Sequence, residues 1–397
     1  MIRPDARWQR RRLYVSNLGY RLSVAYVFHL NLLRGNAMIN NAEEKLARHR
    51  QFWNRKRTDR PLIGFTIGSY FPAHRFDAAR SLLQANDLIS PEMLPVETYM
   101  EDYERLYGLS LAVEQDMFWV AEPFTGIPWM EAMLGCEIRG ASDSIWTGHW
   151  LDDLKNFPDR IDLDKNVWFL KYMEFVQRLV DHSRDRFAVG QPIFRGPLDM
   201  LAALRGHERA VMDFFDSPAQ TTRVLQVLTD IFIEVVRRHQ AMVPMIQDGY
   251  AIGFYYLWTP APAIWLQEDS SALLNPSLYR EFIFPLDHRI AGTFDYSLFH
   301  LHPASLFILK QLLEMDPLKA IQINKDVGGP SISEMMPAFS EVLNRKCLVI
   351  WGQLDPDEVI EISTELSPRG LALHLVVETA EEAGYLMEVI KSKSKNN

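Results

Sequence analysis

Four short apolar segments near the C-terminus constrain this chain most: Ser297–His302, Ala320–Asn324, Cys347–Trp351 and Leu371–Val377. They begin at 297, 320, 347 and 371, so they are 23, 27 and 24 residues apart. Amphipathic stretches separate them, among them Ser305–Leu313, Ser331–Leu343 and Pro356–Leu366. That spacing is a compact βα repeat. Four earlier segments have the same character: Pro61–Gly68, Met117–Ala121, Ala188–Phe194 and Tyr250–Leu257. Near-continuous apolar strands indicate a parallel sheet covered by helices. Eight of them predict a single-domain α/β fold, a (β/α)8 TIM barrel, with an insertion between strands 2 and 3. The alternative, an open doubly wound sheet, would more often carry a glycine-rich phosphate loop after its first strand. Here that strand runs into Gly68-Ser69-Tyr70-Phe71-Pro72 instead. Within the insertion, Cys136–Arg139 and Ser144–Trp150 suit a small hairpin.

Composition narrows the function classes. The chain of 397 residues is 48% hydrophobic with a net charge of -9, which excludes disorder and gives no basic footprint for nucleic acid. Cys136 and Cys347 are its only cysteines, which excludes a disulfide scaffold and predicts a reducing, cytoplasmic compartment. No long uncharged apolar run predicts a membrane span. Residues 1–37 form a basic extension with seven arginines and one acid. Its short apolar stretch Leu22–Leu33 lacks the small cleavage-site residues of a signal peptide, so the extension reads as a disordered tail or a start assigned ahead of Met38, with an organelle-type targeting segment as the second reading, and the barrel domain is expected to occupy residues 38–397.

In a barrel, chemistry gathers at the carboxyl ends of the strands. His300 and His302 lie two apart on one strand and face the same way. Neutral imidazole is a good zinc ligand, and His374 or Glu378 from the last strand is the candidate third donor. The other reading is that both histidines hydrogen-bond a polar substrate without metal. Glu122 ends the second strand and is the expected acid or base, with helix capping or an ion pair to Arg195 as the structural alternative. Arg195 follows the third strand and offers a planar fork to an anion, or to Glu122 or Asp199. Tyr70, Tyr255, Tyr256 and Trp258 are candidates for an aromatic rim around a small-molecule substrate. Gln322 and Asn324 alternate with isoleucines on the sixth strand and need polar partners, and Lys325-Asp326 closes that strand. Asp269 precedes Ser270 and reads as a helix cap. No GxSxG, P-loop, CxxC or HExxH motif is present.

Several stretches resemble the uroporphyrinogen decarboxylase family. They are Arg195-Gly196-Pro197-Leu198-Asp199, Leu204-Arg205-Gly206-His207-Glu208, Gln267-Glu268-Asp269-Ser270-Ser271, Asn275-Pro276-Ser277-Leu278-Tyr279 and Gly352-Gln353-Leu354-Asp355. Their order and spacing carry the resemblance, which covers roughly residues 45–392. It implies a single barrel and one of two activities. The decarboxylases of that family hold substrate carboxylates with an arginine-rich signature, where this chain reads TIGSYFPAHR and offers only Arg75. The methyltransferases use a corrinoid, and their zinc site resembles a His-x-Cys pair with a further cysteine near the last strand. The corresponding residues here are His300, His302 and His374. The resemblance therefore implies a corrinoid-linked methyltransferase, with cobalamin on a partner protein and zinc as the metal. A decarboxylase acting on a tetrapyrrole or other carboxylate is the alternative. A non-catalytic binding protein for a corrinoid or tetrapyrrole is the second.

Overall fold

The computed structural model describes residues 35–69, 71–84, 88–141 and 144–394. Residues 1–34 of the basic extension, and Tyr70, lie outside the described residues. The chain divides into two units, Met1–Glu44 and Lys45–Asn397. In the first, the described residues form the start of the helix Gly35–Trp53. All that follows concerns the second.

Eight parallel strands organise this unit: β1 (Leu62–Ile67), β2 (Val120–Ala121), β3 (Ala188–Val189), β4 (Ala263–Gln267), β5 (Tyr296–Leu301), β6 (Ala320–Lys325), β7 (Cys347–Gly352) and β8 (Leu371–Val377). Six of them pair in the order β1-β8-β7-β6-β5-β4. β2 and β3 form a separate parallel pair. Backbone bonds run from the region of this pair to both edge strands of the sheet. The N–H groups of Asp116 and Met117 donate to the Ile63 carbonyl at 2.8 and 3.2 Å, and Gly196 N–H donates to the Gln267 carbonyl at 2.9 Å. Side chains complete the β1 edge. The Asp116 carboxylate accepts Ile63 N–H at 2.9 Å while holding the buried Arg60 guanidinium, and Gln115 accepts Phe65 N–H at 3.0 Å.

The strands read as apolar runs because nearly all their residues are buried between helices and the interior. Helices recur after each of the later strands, among them Ile332–Arg345, Pro356–Glu365 and Ala380–Ser394. Capping boxes at Ser331 with Glu334, and at Asp355 with Glu358, start the first two. Among the described residues, no helix is long and apolar enough to cross a membrane.

The fourth strand corrects the sequence reading. Tyr250–Leu257 is not a member of the sheet. Its first part, Tyr250–Ile252, forms an antiparallel hairpin with Leu257–Thr259, and the following segment Ala263–Gln267 takes the place beside β5. The hairpin turn is backbone-tight. A Cβ on Gly253 would stand 2.1 Å from the Gln191 carbonyl oxygen, and Phe254 and Tyr256 adopt left-handed φ values of 59° and 55°. The expected hairpin in the insertion is present as Glu137–Gly140 with Ile145–Gly148, extended by Leu88–Ile89.

Candidate metal centre at the carboxyl ends of the strands

Register sets the site. His300 on β5 is level with Gln267 on β4 and with Gln322 on β6. Alternation then places Gln322, Asn324 and Asp326 on one face, in line with His300 and His302. These side chains form a continuous hydrogen-bonded ladder. His300 Nδ1 contacts the Gln322 Oε1, whose amide N–H donates to Asn324 Oδ1 at 3.1 Å. Asn324 donates to Asp326 Oδ1 at 3.0 Å, and Asp326 takes His302 Nδ1 at 2.8 Å. The Tyr255 hydroxyl also stands 2.9 Å from His300 Nδ1.

Amide and carboxylate oxygens at both Nδ1 atoms place the ring protons there, which leaves each Nε2 with its lone pair. Both Nε2 atoms face one oxygen. Asp269 Oδ1 lies 3.7 Å from that of His300 and 3.8 Å from that of His302. One donor atom from each of the three residues lies within 4.8 Å of the others. Two donors each about 2.1 Å from a tetrahedral ion stand about 3.4 Å apart, so the spacing fits a divalent metal after a slight inward movement. The Nδ1 partners supply the outer shell that metal-bound histidines require. Gln267 steadies the second oxygen of Asp269, donating to Oδ2 at 2.8 Å.

The two imidazoles differ in charge preference. Burial pulls the His300 pKa below its ordinary value, against the attraction of Asp269. For His302, burial acts in the same direction, but the hydrogen bond to Asp326 and the Asp269 charge prevail and raise it.

Asp269 was expected to cap its own helix. The first two N–H groups of the Asp269–Leu273 turn are instead held from outside, by Asp199, and the Asp269 carboxylate faces the histidines. Asp326 was read only as the end of its strand. The two-residue alternation from Gln322 onward was the signal that could have found it.

His374 is not part of this group. Its Nε2 bonds Thr66 Oγ1 at 2.9 Å on neighbouring β1, and its ring packs on Tyr256 at 4.8 Å. Burial pushes its pKa down to about 3. Glu378, the alternative third donor, follows the end of β8 with its N–H on Glu382, and the cluster consists of Asp269, His300 and His302 without it. Glu122 belongs with His374 and Tyr256 rather than with the ladder. The charge of Arg75 acts on all three, and burial lifts the Glu122 pKa to about 8. Among the described residues, no hydrogen bond or ion pair joins Glu122 to His300 or His302. The two polar groups adjoin through the consecutive residues Tyr255 and Tyr256.

Arg195 is paired with the buried Glu131 at 3.1 Å rather than with Glu122 or Asp199. Its side chain stays 43% exposed, which leaves donors for a ligand. Lys325 is engaged by Glu358 at 3.4 Å and by the Pro330 carbonyl at 3.3 Å, away from the histidines. Trp258 is no rim residue. It is buried with its indole N–H on the Ile246 carbonyl and Arg50 stacked over its ring at 5.1 Å. Cys347 is buried with Sγ against the Phe52 carbonyl and begins β7, at the end opposite the one that carries the site.

The sequence matches no protein-family model and no curated protein. Among solved structures, the chain is similar to a methyltransferase from Methanosarcina mazei, at a TM-score of 0.58 and 13% sequence identity, covering 87% of this chain and 97% of that one. At that identity the likeness shows a shared α/β fold.

Proposed function

We propose that this protein is a metal-dependent methyltransferase built on a (β/α)8 barrel of the uroporphyrinogen decarboxylase type. The carrying observation is the convergence of His300 Nε2, His302 Nε2 and Asp269 Oδ1, with both Nδ1 atoms held from behind. The methyl group enters the proposal from the solved neighbour, which is named a methyltransferase. The eight parallel strands and the bonds at Ile63 and Gln267 support the barrel.

Asp269, His300 and His302 would hold the ion, and their nitrogen and oxygen donors suit zinc. When bound, the ion supplies Lewis acidity that lowers the pKa of a coordinated hydroxyl, water or thiol. The rest is done by the chain. Gln322, Asn324 and Asp326 fix the plane and tautomer of both imidazoles. Arg195, with one nitrogen on Glu131, directs its remaining donors at an anionic group of the substrate. Glu122, whose pKa burial lifts to about 8, is the acid–base group beside Tyr256 that would exchange a proton with the substrate. The corrinoid carrying the methyl group sits on a separate protein, which the family resemblance implies.

Elemental analysis of the purified protein, with a methylcobalamin methyl-transfer assay, tests this. The expectation is about one zinc per chain, with turnover abolished in Asp269→Ala, His300→Ala and His302→Ala. A metal-free preparation with full turnover, or a His300→Ala variant that retains it, overturns the proposal.

A further inference from the structure

The N-termini of two helices are capped by each other's acids. Glu268, at the end of β4, accepts the N–H groups of Leu198 and Asp199 at 3.1 Å, at the start of the helix Pro197–Arg205. Asp199 returns the bond. Its carboxylate accepts Asp269 N–H at 2.9 Å and Ser270 N–H at 2.6 Å, at the start of the turn Asp269–Leu273. Both acids are buried. The approach depends on Gly196, where a Cβ would stand 2.4 Å from Glu268 Oε1 and 2.5 Å from the Gln267 carbonyl oxygen.

An aspartate at the start of a helical turn ordinarily folds back onto the N–H groups just ahead of it. Here Asp199 holds the first two N–H groups of the turn, those of Asp269 itself and of Ser270, from another segment. The backbone that carries the Asp269 side chain is thereby fixed, and that side chain reaches Gln267 and faces the two histidines.

We propose that Asp199 is a positioning residue for the metal centre, acting through the backbone of Asp269. This rests on the reading of Asp269, His300 and His302 as metal ligands. Removal of the Asp199 carboxylate frees the N–H groups of Asp269 and Ser270, so the backbone that carries the ligand loses its anchor. The Asp269 carboxylate then loses its fixed position opposite the two histidines.

The test is zinc affinity by chelator competition, and the visible spectrum of the cobalt(II)-substituted protein, in Asp199→Ala and Asp199→Asn. Thermal melting runs alongside. Asp199→Ala is expected to lose zinc affinity by about 10- to 100-fold, as for other outer-shell partners, and to alter the cobalt spectrum. Asp199→Asn keeps one acceptor oxygen and is expected to fall between. If Asp199→Ala does not fold, the isosteric Asn variant carries the test. Wild-type zinc affinity and cobalt spectrum in both variants, with only a lowered melting temperature, overturn the positioning role. In that case Asp269→Ala still loses zinc and the metal centre stands. A wild-type protein that binds no zinc overturns the centre, and this inference with it.

Discussion

His302 donates its Nδ1 proton into the carboxylate of Asp326, 2.8 Å from both oxygens. The ring is thus turned so that Nε2 meets Asp269, while the negative charge behind it raises its basicity. Asp326→Asn removes that charge and keeps the shape. Zinc binding should weaken about 10- to 100-fold with the fold intact, as titration with a chromophoric chelator and circular dichroism would record. Unchanged affinity would mean that Asp326 is only a packing partner.

Glu122 sets one arm of the pH dependence. Its Oε2 is buried without a hydrogen bond, and burial raises its pKa from 4.5 to about 8. The folded state therefore holds a proton that the unfolded state releases above pH 4.5. Stability contributed here falls as pH rises from 4.5 towards 8, by about 1.4 kcal/mol per pH unit. Glu122→Gln should flatten that decline and melt higher than wild type at pH 8, in thermal scans across pH 5 to 8. An identical slope in the variant would reject the assignment.

His239 sets the other arm. It is fully buried on the helix Pro218–Met242 with the Tyr172 hydroxyl on its Nδ1 at 2.7 Å, and burial lowers its pKa to about 3. The unfolded chain takes up a proton below about pH 6.5, and the folded chain does not. Stability is full above that pH and is lost as pH falls towards 3. Urea unfolding of His239→Gln between pH 6.5 and 4 should show a shallower acid decline, by about 1.4 kcal/mol per pH unit.

Gly253 controls the turn that presents Tyr255. A methyl group there collides with the Gln191 carbonyl, and Gly190 on the same segment already packs against Gly253 backbone. Gly253→Ala should cost about 2–3 kcal/mol of stability and displace Tyr255 from His300. Denaturant melts and the cobalt(II) spectrum would report the two effects separately. A stable variant with an unperturbed spectrum would show that the turn yields without consequence.

Much of this architecture is legible in the sequence because buried parallel strands leave short apolar runs. The fourth strand misleads for a physical reason. Tyr250–Leu257 is as apolar as its neighbours, but Gly253 and the left-handed residues Phe254 and Tyr256 reverse the chain within it. The actual strand Ala263–Gln267 follows a Thr-Pro-Ala-Pro stretch that reads as a loop. At the site, His300 and His302 announce themselves by their spacing. Asp269 does not, since its backbone is held by Asp199, 70 residues earlier. His374 shows the converse limit. Its partner Thr66 is fixed by the β1–β8 pairing, which no local pattern contains.

The ladder on β5 and β6 ties the chemistry to one pairing event. Both imidazoles, and the three side chains that hold them, come from two adjacent strands whose positions alternate in and out. A slip of a single residue between those strands would uncouple all five at once. The two imidazoles and the ladder behind them are therefore assembled or absent together, while Asp269 joins them from the end of β4.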